Sequence, residues 1–271
     1  MSSKLLTVNA DDFGFTRDVN AGIIEAHRKG ILTATTLMAN GEAFNDAVGL
    51  AHTTPTLDVG CHLVLVGGHS LVSDEPFPDN VPALIKAIVM RKLNPYLEMK
   101  LQIKKILGAG LKPLHLDTHK HTHLFPAVLH AVAKLSEEYK IPFVRRPFDF
   151  PMRPGKVPVS KQLVSKSFQI VRGKFEHSLQ KHGCKSTDFF AGFAITGTYT
   201  ASDVVELIAN LPEGSTEFMC HPGYCTDELR SQKTRLKESR AEELAALVDP
   251  QVRQALDHHQ VKLVRYADLL A

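Results

Sequence analysis

The stretch Leu5–Gly30, LLTVNADDFGFTRDVNAGIIEAHRKG, contains the unit from which the fold class of this chain is predicted. Its first residues, Leu5–Asn9, form a short, largely apolar run that is typical of a buried strand. A helix is predicted at Val19–Lys29, because its apolar residues share one face and Gly30 suits the position just past a helix end. A strand followed closely by a helix is the repeating unit of parallel α/β folds.

The same alternation continues to the end of the chain. Further apolar runs predict strands at Leu32–Met38, Asp58–Leu65, Pro113–Asp117, Pro142–Arg145, Phe189–Phe193, Thr216–Cys220 and Lys262–Arg265. Helical patterns between them lie at Asn45–His52, Pro95–Leu107, Ala127–Tyr139, Lys161–Lys181, Asp203–Leu211, Ser231–Leu247 and Val252–His258. This order predicts an α/β fold with a parallel sheet, and the strand number fits a (β/α) barrel made by one domain, residues 1–271. An open doubly wound sheet is the alternative.

Composition and charge are those of an ordinary globular protein. The 271 residues are 44% hydrophobic and 23% charged, and a net charge of +3 without a basic stripe argues against a nucleic-acid partner. No apolar run reaches the roughly 18 residues of a membrane span, and the first residues do not resemble a signal peptide. The four cysteines form no Cys-x-x-Cys pair. We therefore expect a cytoplasmic protein with reduced thiols and no membrane span.

Two stretches rich in glycine, proline and polar residues predict long loops. They are Gly67–Pro82 and Arg146–Pro158, and each follows a predicted strand. The carboxyl ends of parallel strands gather at one face of the fold, where lids and substrate contacts are commonly placed. We therefore expect both loops to border that face.

Side chains that bind metals or transfer protons fall at or near the ends of five predicted strands. They are Asp11 and Asp12 after the first strand, His62 in the third, His115, Asp117 and His119 at the fourth, Arg145 and Arg146 at the fifth, and His221 at the seventh. Each alone has a structural explanation, such as a helix cap, a core histidine or a turn. Together they favour a site for one divalent cation, because carboxylates and imidazoles suit Zn²⁺, Mn²⁺, Ni²⁺ or Co²⁺. Mg²⁺ fits less well, since it prefers oxygen ligands.

The histidine-rich stretch PLHLDTHKHTHLFP forms one wall of this predicted site. His115, Asp117 and His119 are two residues apart, so in a strand they point to the same side. With His119 at the rim, Asp117 is expected to orient the metal ligands from below, and His115 lies beneath it inside the barrel. His121 and His123 lie past the strand, where they line the pocket or cap the next helix.

Five motifs occur in a fixed order along nearly the whole chain: TVNADDFG, GILTATTLMANG, VGCHLVLV, KPLHLDTHKHTHLFP and FMCHPGY. In this order they resemble the YdjC-like carbohydrate deacetylases, which include chitooligosaccharide deacetylases and hopanoid-biosynthesis-associated proteins. The HKHTH segment is more similar to the hopanoid-associated branch. The resemblance implies a distorted or incomplete TIM-like barrel, with its active site at the C-terminal ends of the strands. It further implies removal of N-acetyl groups from amino sugars, and a homodimer.

The resemblance also implies a role for individual residues. Asp12, His62 and His119 take the places of the family's metal ligands, and Asp11 takes that of the catalytic base. His221 is the counterpart of the acid of related polysaccharide deacetylases, on the opposite side of the scissile amide. The metal, which is Zn, Mg, Mn, Ni or Co, is expected to activate water and to polarise the acetamide carbonyl.

Two other functions stay open at the level of sequence, as does the role of one arginine pair. A metal-dependent phosphoesterase on a similar barrel usually carries His-x-His near the first strand, where this chain has Asp11 and Asp12. A non-catalytic protein that binds a sugar or a metal has no need of a proton acceptor and donor. Arg145 and Arg146 either hold Asp11 ionised, bind the N-acetylated substrate, or form a salt-bridged strand end.

Overall fold

The computed structural model describes residues 3–150 and 168–270. Within these residues, parallel strands form one sheet. The strands are β1 Lys4–Phe13, β2 Ala34–Leu37, β3 Asp58–Leu63, β4 His115–Thr118, β5 Phe143–Val144, β6 Phe189–Ala191, β7 Gly214–Cys220 and β8 Val261–Leu263. Each predicted strand is confirmed with shifted ends. The first strand, for example, runs past its predicted end at Asn9 and includes both Asp11 and Asp12.

The sheet curls into an incomplete barrel. Its hydrogen-bonded order is β5-β4-β3-β2-β1-β7-β6, and β8 pairs with Lys4–Leu6 at the start of β1. Isolated bridges between Phe143 and Lys185 and between Asp149 and Phe190 join the two ends of this order. The predicted α/β barrel, distorted and incomplete, is therefore confirmed in preference to an open doubly wound sheet.

Helices cover the outside of the sheet. Those in the described residues include α1 Arg17–Lys29, α2 Phe44–His52, α3 Val81–Val89, α4 Pro95–Gly108, α5 Pro126–Tyr139, α6 Arg172–Lys181, α7 Ala201–Ala209, α8 Asp227–Arg230, α9 Glu238–Val248 and α10 Pro250–His258. Two 3-10 helices lie at His119–Leu124 and Ala267–Leu269. The helix predicted at Lys161–Lys181 overlaps α6, and residues 161–167 lie outside the described residues.

Two helices are missing from the sequence prediction, and one is predicted too long. Helix α3 begins where a loop is predicted, because the side chain of Asn80 accepts a hydrogen bond from the N–H of Ala83 (2.9 Å). Pro82 lies in its first turn, where no backbone N–H is required. The short helix α8 is also absent from the prediction. The helix predicted at Ser231–Leu247 begins only at Glu238, since the preceding polar residues form turns and coil.

The interior of the barrel is polar above a small apolar floor. Alternate residues of a strand point to opposite faces. Accordingly Asn9 and Asp11 of β1 face the interior, whereas Leu6 and Val8 belong to the apolar core between sheet and helices. A separate apolar cluster forms the floor, and it consists of Ala34, Phe143 and Tyr266 packed with Leu114 and Leu269. Polar groups inside the barrel are thereby separated from the amino-terminal face.

The predicted loops are described in part. Between Gly67 and the start of α3 the chain has no helix and folds back through an antiparallel bridge between His69 and Pro76. The buried carboxylate of Glu98 accepts a hydrogen bond from the hydroxyl of Ser70 and so anchors this loop to α4. Of Arg146–Pro158, residues 151–158 lie outside the described residues. The proposed lid role of both loops stays a prediction.

Two structural observations concern the expectations drawn from composition. No helix in residues 3–150 and 168–270 is long and apolar enough to cross a membrane. The four cysteines, Cys61, Cys184, Cys220 and Cys225, are free thiols.

A close contact between helix α1 and the loop after β7 gives a test of the fold. A Cβ added at Gly22 would lie 2.4 Å from the Cα of Gly223. Because the clashing atom belongs to the backbone, a shift that relieves the overlap would cost free energy. We expect Gly22→Ala to lower the free energy of unfolding by about 2–3 kcal/mol through this overpacking. Gly49→Ala is the matched control, because Gly49 lies in helix α2 with open space around it. It should raise stability by about 0.5–1 kcal/mol. Urea unfolding followed by circular dichroism measures both, and an unchanged Gly22→Ala midpoint would contradict the contact.

Candidate active site

Asp12, His62 and His119 meet at the carboxyl-end mouth of the barrel. The Oδ1 atom of Asp12 lies 3.3 Å from Nε2 of His62 and 3.2 Å from Nδ1 of His119, and the two imidazole nitrogens are 3.3 Å apart. These atoms form a nearly equilateral triangle. They come from the end of β1, from β3 and from the start of the 3-10 helix His119–Leu124. The structure thus brings together the three predicted metal ligands.

The triangle fits a divalent cation. Ligand atoms about 2.0–2.2 Å from a tetrahedral Zn²⁺ lie about 3.3–3.5 Å from one another, which matches the observed spacing. Asp12 Oδ1 is also buried without a hydrogen-bond partner among the described residues. A buried carboxylate oxygen without a partner is costly, and a cation would satisfy it. One carboxylate and two imidazoles form a donor set that suits Zn²⁺ and similar ions.

A backbone distortion directs both adjacent aspartates into the mouth. Neighbouring residues of a regular strand point to opposite faces, so Asp11 and Asp12 could not both face the interior. Asp12 has a φ of 69°, in the left-handed region that non-glycine residues rarely adopt. The pairing of β1 with β2 also shifts register between Ala10 and Phe13. This irregularity explains how the Asp-Asp pair supplies two carboxylates to one pocket.

Asp117 forms a hydrogen bond with His62, the contact that its predicted role requires. The Nδ1–H of His62 donates to Asp117 Oδ1 (2.6 Å), which leaves Nε2 directed at the triangle. Asp117 Oδ2 accepts from the hydroxyl of Thr36 (3.0 Å) and from Arg145 (2.8 Å). Burial lowers the pKa of His62, but Asp117 and Asp12 outweigh it and raise this pKa to about 10. The position therefore stabilises positive charge, which a metal ion would supply.

Arg145 forms an ion pair with Asp11, as one of the predictions for the arginine pair requires, and substrate binding by this pair stays a prediction. Its Nη1 and Nη2 donate to the two oxygens of Asp11 at 2.7 and 2.6 Å, and the amide of Asn9 donates to Oδ1 of Asp11 (3.1 Å). Burial raises the pKa of Asp11, but the Arg145 guanidinium lowers it by a larger amount. The net pKa of Asp11 is therefore below the ordinary value. Asp11 is therefore ionised. Arg146 instead pairs with Glu176 of α6 (2.7 Å) as a salt bridge.

His221 lies beside Asp11. Its Nε2 is 3.9 Å from Asp11 Oδ2, so the two predicted catalytic side chains are neighbours at the mouth. Its backbone N–H donates to Glu243 (2.5 Å), and its Nδ1 lies 3.9 Å from the same carboxylate. Burial lowers the pKa of His221, although Glu243 and Asp11 raise it in part, and the net pKa is below the ordinary value. The imidazole is therefore largely neutral at pH 7.

The other histidines of the cluster have different surroundings. His123 connects the hydroxyl of Thr118 (2.5 Å) to the backbone carbonyl of Arg145 (3.1 Å), so it supports the arginine from behind. His115 donates to the side chain of Asn9 (2.9 Å) and stacks on Tyr266. Burial lowers the pKa of His115 to about 3, so this imidazole is neutral. Neither residue faces the metal triangle.

His121 differs from both. Its φ of 50° is strained, and its buried Nδ1 has no hydrogen-bond partner in the part of the chain that the structure describes. The ring packs near Phe190 and Phe193, and its electrostatic neighbours include Asp11 and His221. Of the two predictions for His121, the structure thus favours pocket lining over helix capping. Helix α5 begins after Phe125 with Pro126 instead.

Two important side chains come from helix α9 and are absent from the sequence predictions. Arg240 donates to Oδ2 of Asp12, which keeps Oδ1 of Asp12 directed at the triangle. Glu243, one turn later, accepts from the hydroxyl of Tyr199 (3.0 Å) as well as from His221. Both are 1% exposed. The spacing of the buried residues gave a signal, since these two positions extend the helical stripe of Leu244 and Leu247 by one turn.

Comparisons with known proteins identify the family of this chain. Residues 5–258 match the profile of the family described as YdjC-like protein. The chain belongs to the YdjC-like family. A relative called carbohydrate deacetylase from Brevibacillus brevis is 36% identical over 272 residues, which cover 97% of this chain and 99% of the relative. Another carbohydrate deacetylase, from Geobacillus stearothermophilus, is 34% identical and covers 96% of each chain.

A solved structure shares the fold of this YdjC-like chain. The crystal structure of an Enterococcus faecalis V583 protein has a TM-score of 0.76 to it, with 24% sequence identity and 99% of each chain covered. At this level of identity the likeness concerns the fold alone. It supports the incomplete barrel described above.

The hydrogen bond between Asp117 and His62 predicts how metal affinity responds to mutation. We expect Asp117→Asn to weaken zinc binding about 10–100-fold, because loss of such a partner releases the ligand imidazole. Asp12→Asn, which removes a charged ligand, should weaken it further. His130→Ala is the control, since this exposed histidine lies on helix α5 and should leave affinity unchanged. Isothermal titration with Zn²⁺ measures each variant, and parental affinity in Asp117→Asn would contradict the assignment.

Proposed function

We propose that this YdjC-like protein is a metal-dependent carbohydrate deacetylase. Its substrates would be N-acetylated amino sugars, either chito-oligosaccharides or N-acetylglucosaminyl conjugates. The observation that carries the proposal is the position of a proton acceptor and a possible donor, Asp11 and His221, beside the Asp12, His62 and His119 triangle. The relatives called carbohydrate deacetylases support the same chemistry.

A divalent cation would be held by Asp12, His62 and His119. When bound, it would supply positive charge that lowers the pKa of water and polarises the acetamide carbonyl. The ion would be zinc or a similar divalent metal, since two of the three ligands are imidazoles. The neighbouring side chains determine the position of the substrate and the path of the protons.

Asp11 would act as the general base. Deacetylation by hydrolysis adds one water across the amide bond and yields acetate and a free sugar amine. Asp11 would accept one proton of the attacking water, and Arg145 would hold its carboxylate ionised and fixed in orientation. The low pKa of Asp11 means that it does not retain this proton. His221 lies 3.9 Å from the Asp11 carboxylate, beyond direct hydrogen-bond reach, so the proton would pass to it through one water molecule.

His221 would protonate the leaving amine. Its imidazole, largely neutral at pH 7, would receive the proton from Asp11 and donate it to the sugar nitrogen as the carbon–nitrogen bond breaks. Glu243 would fix His221 in place through its backbone N–H. The resemblance implies that His221 lies on the opposite side of the scissile amide from Asp11. The 3.9 Å between His221 Nε2 and Asp11 Oδ2 instead favours a proton path in which both residues lie on one side of the amide.

His121 would bind the substrate. A buried imidazole nitrogen without a partner has an unfavourable free energy that a substrate hydroxyl or carbonyl would relieve. Its strained backbone is also typical of functional positions. The aromatic rings of Phe190 and Phe193 beside it give the pocket an apolar wall that suits the methyl group or the sugar face. The homodimer and the cytoplasmic location stay predictions.

Replacement of Asp11 distinguishes the enzyme hypothesis from the hypothesis of a non-catalytic binding protein. We expect Asp11→Asn to lower kcat about 10²–10⁴-fold, because the proton acceptor is lost, while zinc content stays near that of the parent. Acetate release would be measured with N-acetylglucosamine, diacetylchitobiose and N-acetylglucosaminyl lipids, with several divalent metals. Phosphate release from sugar phosphates is measured in parallel, since it would favour a phosphoesterase. Full turnover by Asp11→Asn would contradict the role of the base, and no acetate from any substrate would contradict the deacetylase.

A second variant pair tests the contact of His121 with substrate. We expect His121→Phe to lower kcat/KM about 10–100-fold, since it keeps the packing against the aromatic wall but removes the N–H. His121→Asn retains a donor and should recover part of that loss. Zinc affinity should stay within about twofold in both, because the side chain is no ligand. Parental kcat/KM in His121→Phe would exclude the contact.

A further inference from the structure

The connection between helices α3 and α4 exposes three apolar side chains. Val89 is 70% exposed, Met90 52% and Leu97 47%, although side chains of this kind are usually buried. Val89 is the last residue of α3, Met90 follows it, and Leu97 lies in the first turn of α4. Single exposed apolar residues are ordinary, whereas a group of them is typical of a surface that binds a partner. We call residues 89–97 the α3–α4 corner.

Helix α3 also has an outward face that is largely apolar. Leu84 is its buried residue and faces the core. Pro82, Lys86 and Val89 occupy the opposite side at helical spacing, and all three are exposed. Only Lys86 among them is polar, whereas the outward face of a surface helix is ordinarily polar throughout. The exposed apolar surface therefore extends from the corner along α3.

Positive charge surrounds this apolar surface. Lys86, Arg91 and Lys92 are exposed. Residues 81–112 contain seven lysines and arginines, and their one acidic residue, Glu98, is buried. The acidic residue that precedes them, Asp79, lies before the other end of α3, about 15 Å from the corner along the helix axis. Because the whole chain has a net charge of only +3, its positive charge is concentrated on these two helices.

The end of α3 holds a cation in a strained conformation. The N–H of Lys92 donates to the carbonyl of Ala87 (2.8 Å), and the N–H of Arg91 donates to that of Ile88 (2.9 Å). These two bonds form a Schellman motif, in which the residue with positive φ is usually glycine. Here that residue is Arg91, with a φ of 58°. Lys92 follows at a position where an apolar residue commonly packs back onto the helix. Two cations thus replace the usual residues of this motif.

Apolar side chains surrounded by cations suit a bilayer that contains anionic lipids. Aliphatic side chains enter the boundary between headgroups and acyl chains, and basic side chains are attracted to the negative surface. A second copy of this chain fits poorly, because a twofold contact would place Arg91 and Lys92 near the same cations. Nucleic acid would attract the cations, but its phosphates and sugars offer no apolar partner for Val89 and Met90.

We propose that the α3–α4 corner is a peripheral membrane-binding surface for bilayers with anionic lipids. Val89, Met90 and Leu97 would enter the headgroup region, and the surrounding basic side chains would contact lipid phosphates. Helix α4 leads from the carboxyl end of β3 back to the start of β4, so its first turn and the mouth lie at the same end of the barrel. The inference goes beyond the proposed function, because lipid binding requires no turnover.

Flotation with lipid vesicles tests the role of charge. We expect the protein to bind phosphatidylcholine vesicles that contain phosphatidylglycerol, to bind pure phosphatidylcholine much less, and to dissociate as salt is added. The double variant Arg91→Gln/Lys92→Gln should bind about 25-fold more weakly, since each cation near an anionic surface contributes about fivefold. Lys4→Gln/Lys262→Gln is the matched control. It removes the same charge at the opposite end of the barrel, where β8 pairs with the start of β1.

A polar substitution tests the role of the apolar side chains. We expect Met90→Gln to weaken vesicle binding about tenfold, because the new side chain gains little on leaving water. Leu270→Gln is the matched control. Leu270 is 41% exposed and follows Leu269, which packs on the floor at the amino-terminal side of the barrel. Its replacement should leave vesicle binding unchanged.

Fluorescence shows whether the corner enters the bilayer. The chain contains no tryptophan, so Met90→Trp supplies a single reporter. Its emission should shift to shorter wavelength when phosphatidylglycerol vesicles are added, because the indole leaves water. Leu270→Trp should show no shift. Both positions are exposed, so both variants should keep the parental circular dichroism spectrum.

Each other outcome would overturn the inference. An unmodified protein that does not bind phosphatidylglycerol vesicles would exclude membrane binding, and parental binding in both Arg91→Gln/Lys92→Gln and Met90→Gln would place the lipid contact elsewhere. Loss of binding in the charge variant alone, without an emission shift in Met90→Trp, would indicate adsorption by charge only. Tighter binding to a single-stranded oligonucleotide, or a dimer that Met90→Gln dissociates, would assign the corner to nucleic acid or to a second copy. A protein inactive as a deacetylase could still pass every one of these tests.

Discussion

The buried ion pair between Arg145 and Asp11 is the interaction on which the rest of the site depends. It joins the end of β5 to β1 across the interior, and the same guanidinium reaches β4 and β7. Such a group is costly to bury unless every donor has a partner, and here carboxylates surround it. The imidazole of His123 donates a hydrogen bond to the backbone carbonyl of Arg145. These contacts fix the shape of the mouth at which Asp12, His62 and His119 meet.

Strain and burial concentrate at this mouth. Asp12 and His121 both adopt left-handed backbone conformations, although neither is a glycine. Each has a buried side-chain atom without a hydrogen-bond partner among the described residues, Oδ1 in Asp12 and Nδ1 in His121. Such features lower stability and persist where a ligand compensates for them. Metal and substrate are the two ligands that the proposed function assigns to these atoms.

Much of the fold and part of the site could be predicted from the sequence. The alternation of apolar runs and helical patterns specifies parallel strands, because strands buried on both faces and amphipathic helices have distinct periods. The resemblance to the YdjC-like family predicted Asp12, His62 and His119 as metal ligands, and the structure brings their side chains together. The N-cap at Asn80 was overlooked because the neighbouring Pro82 suggested a loop. The rest depends on contacts between distant residues.

Arg240 and Glu243 illustrate which parts of the site cannot be predicted from the sequence. Arg240 reaches Asp12 across 228 residues of sequence, and no local pattern specifies that pair. A charged residue on a helix normally faces solvent, so only the stripe shared with Leu244 and Leu247 indicated burial. Glu217 likewise lies in an ordinary strand, and its contact with Arg145 forms only in the assembled barrel. Interior polar networks are a property of the assembled barrel.

Diffraction from zinc-loaded crystals, recorded at the zinc absorption edge, shows directly whether Asp12, His62 and His119 bind a metal ion. We expect one strong anomalous peak at the mouth of the barrel, about 2.0–2.2 Å from Oδ1 of Asp12, Nε2 of His62 and Nδ1 of His119. Asp11 and His221 should lie beside the ion without binding it. A peak elsewhere in the molecule, or an ion held by Asp11 and Asp117 in place of Asp12, would contradict this metal site.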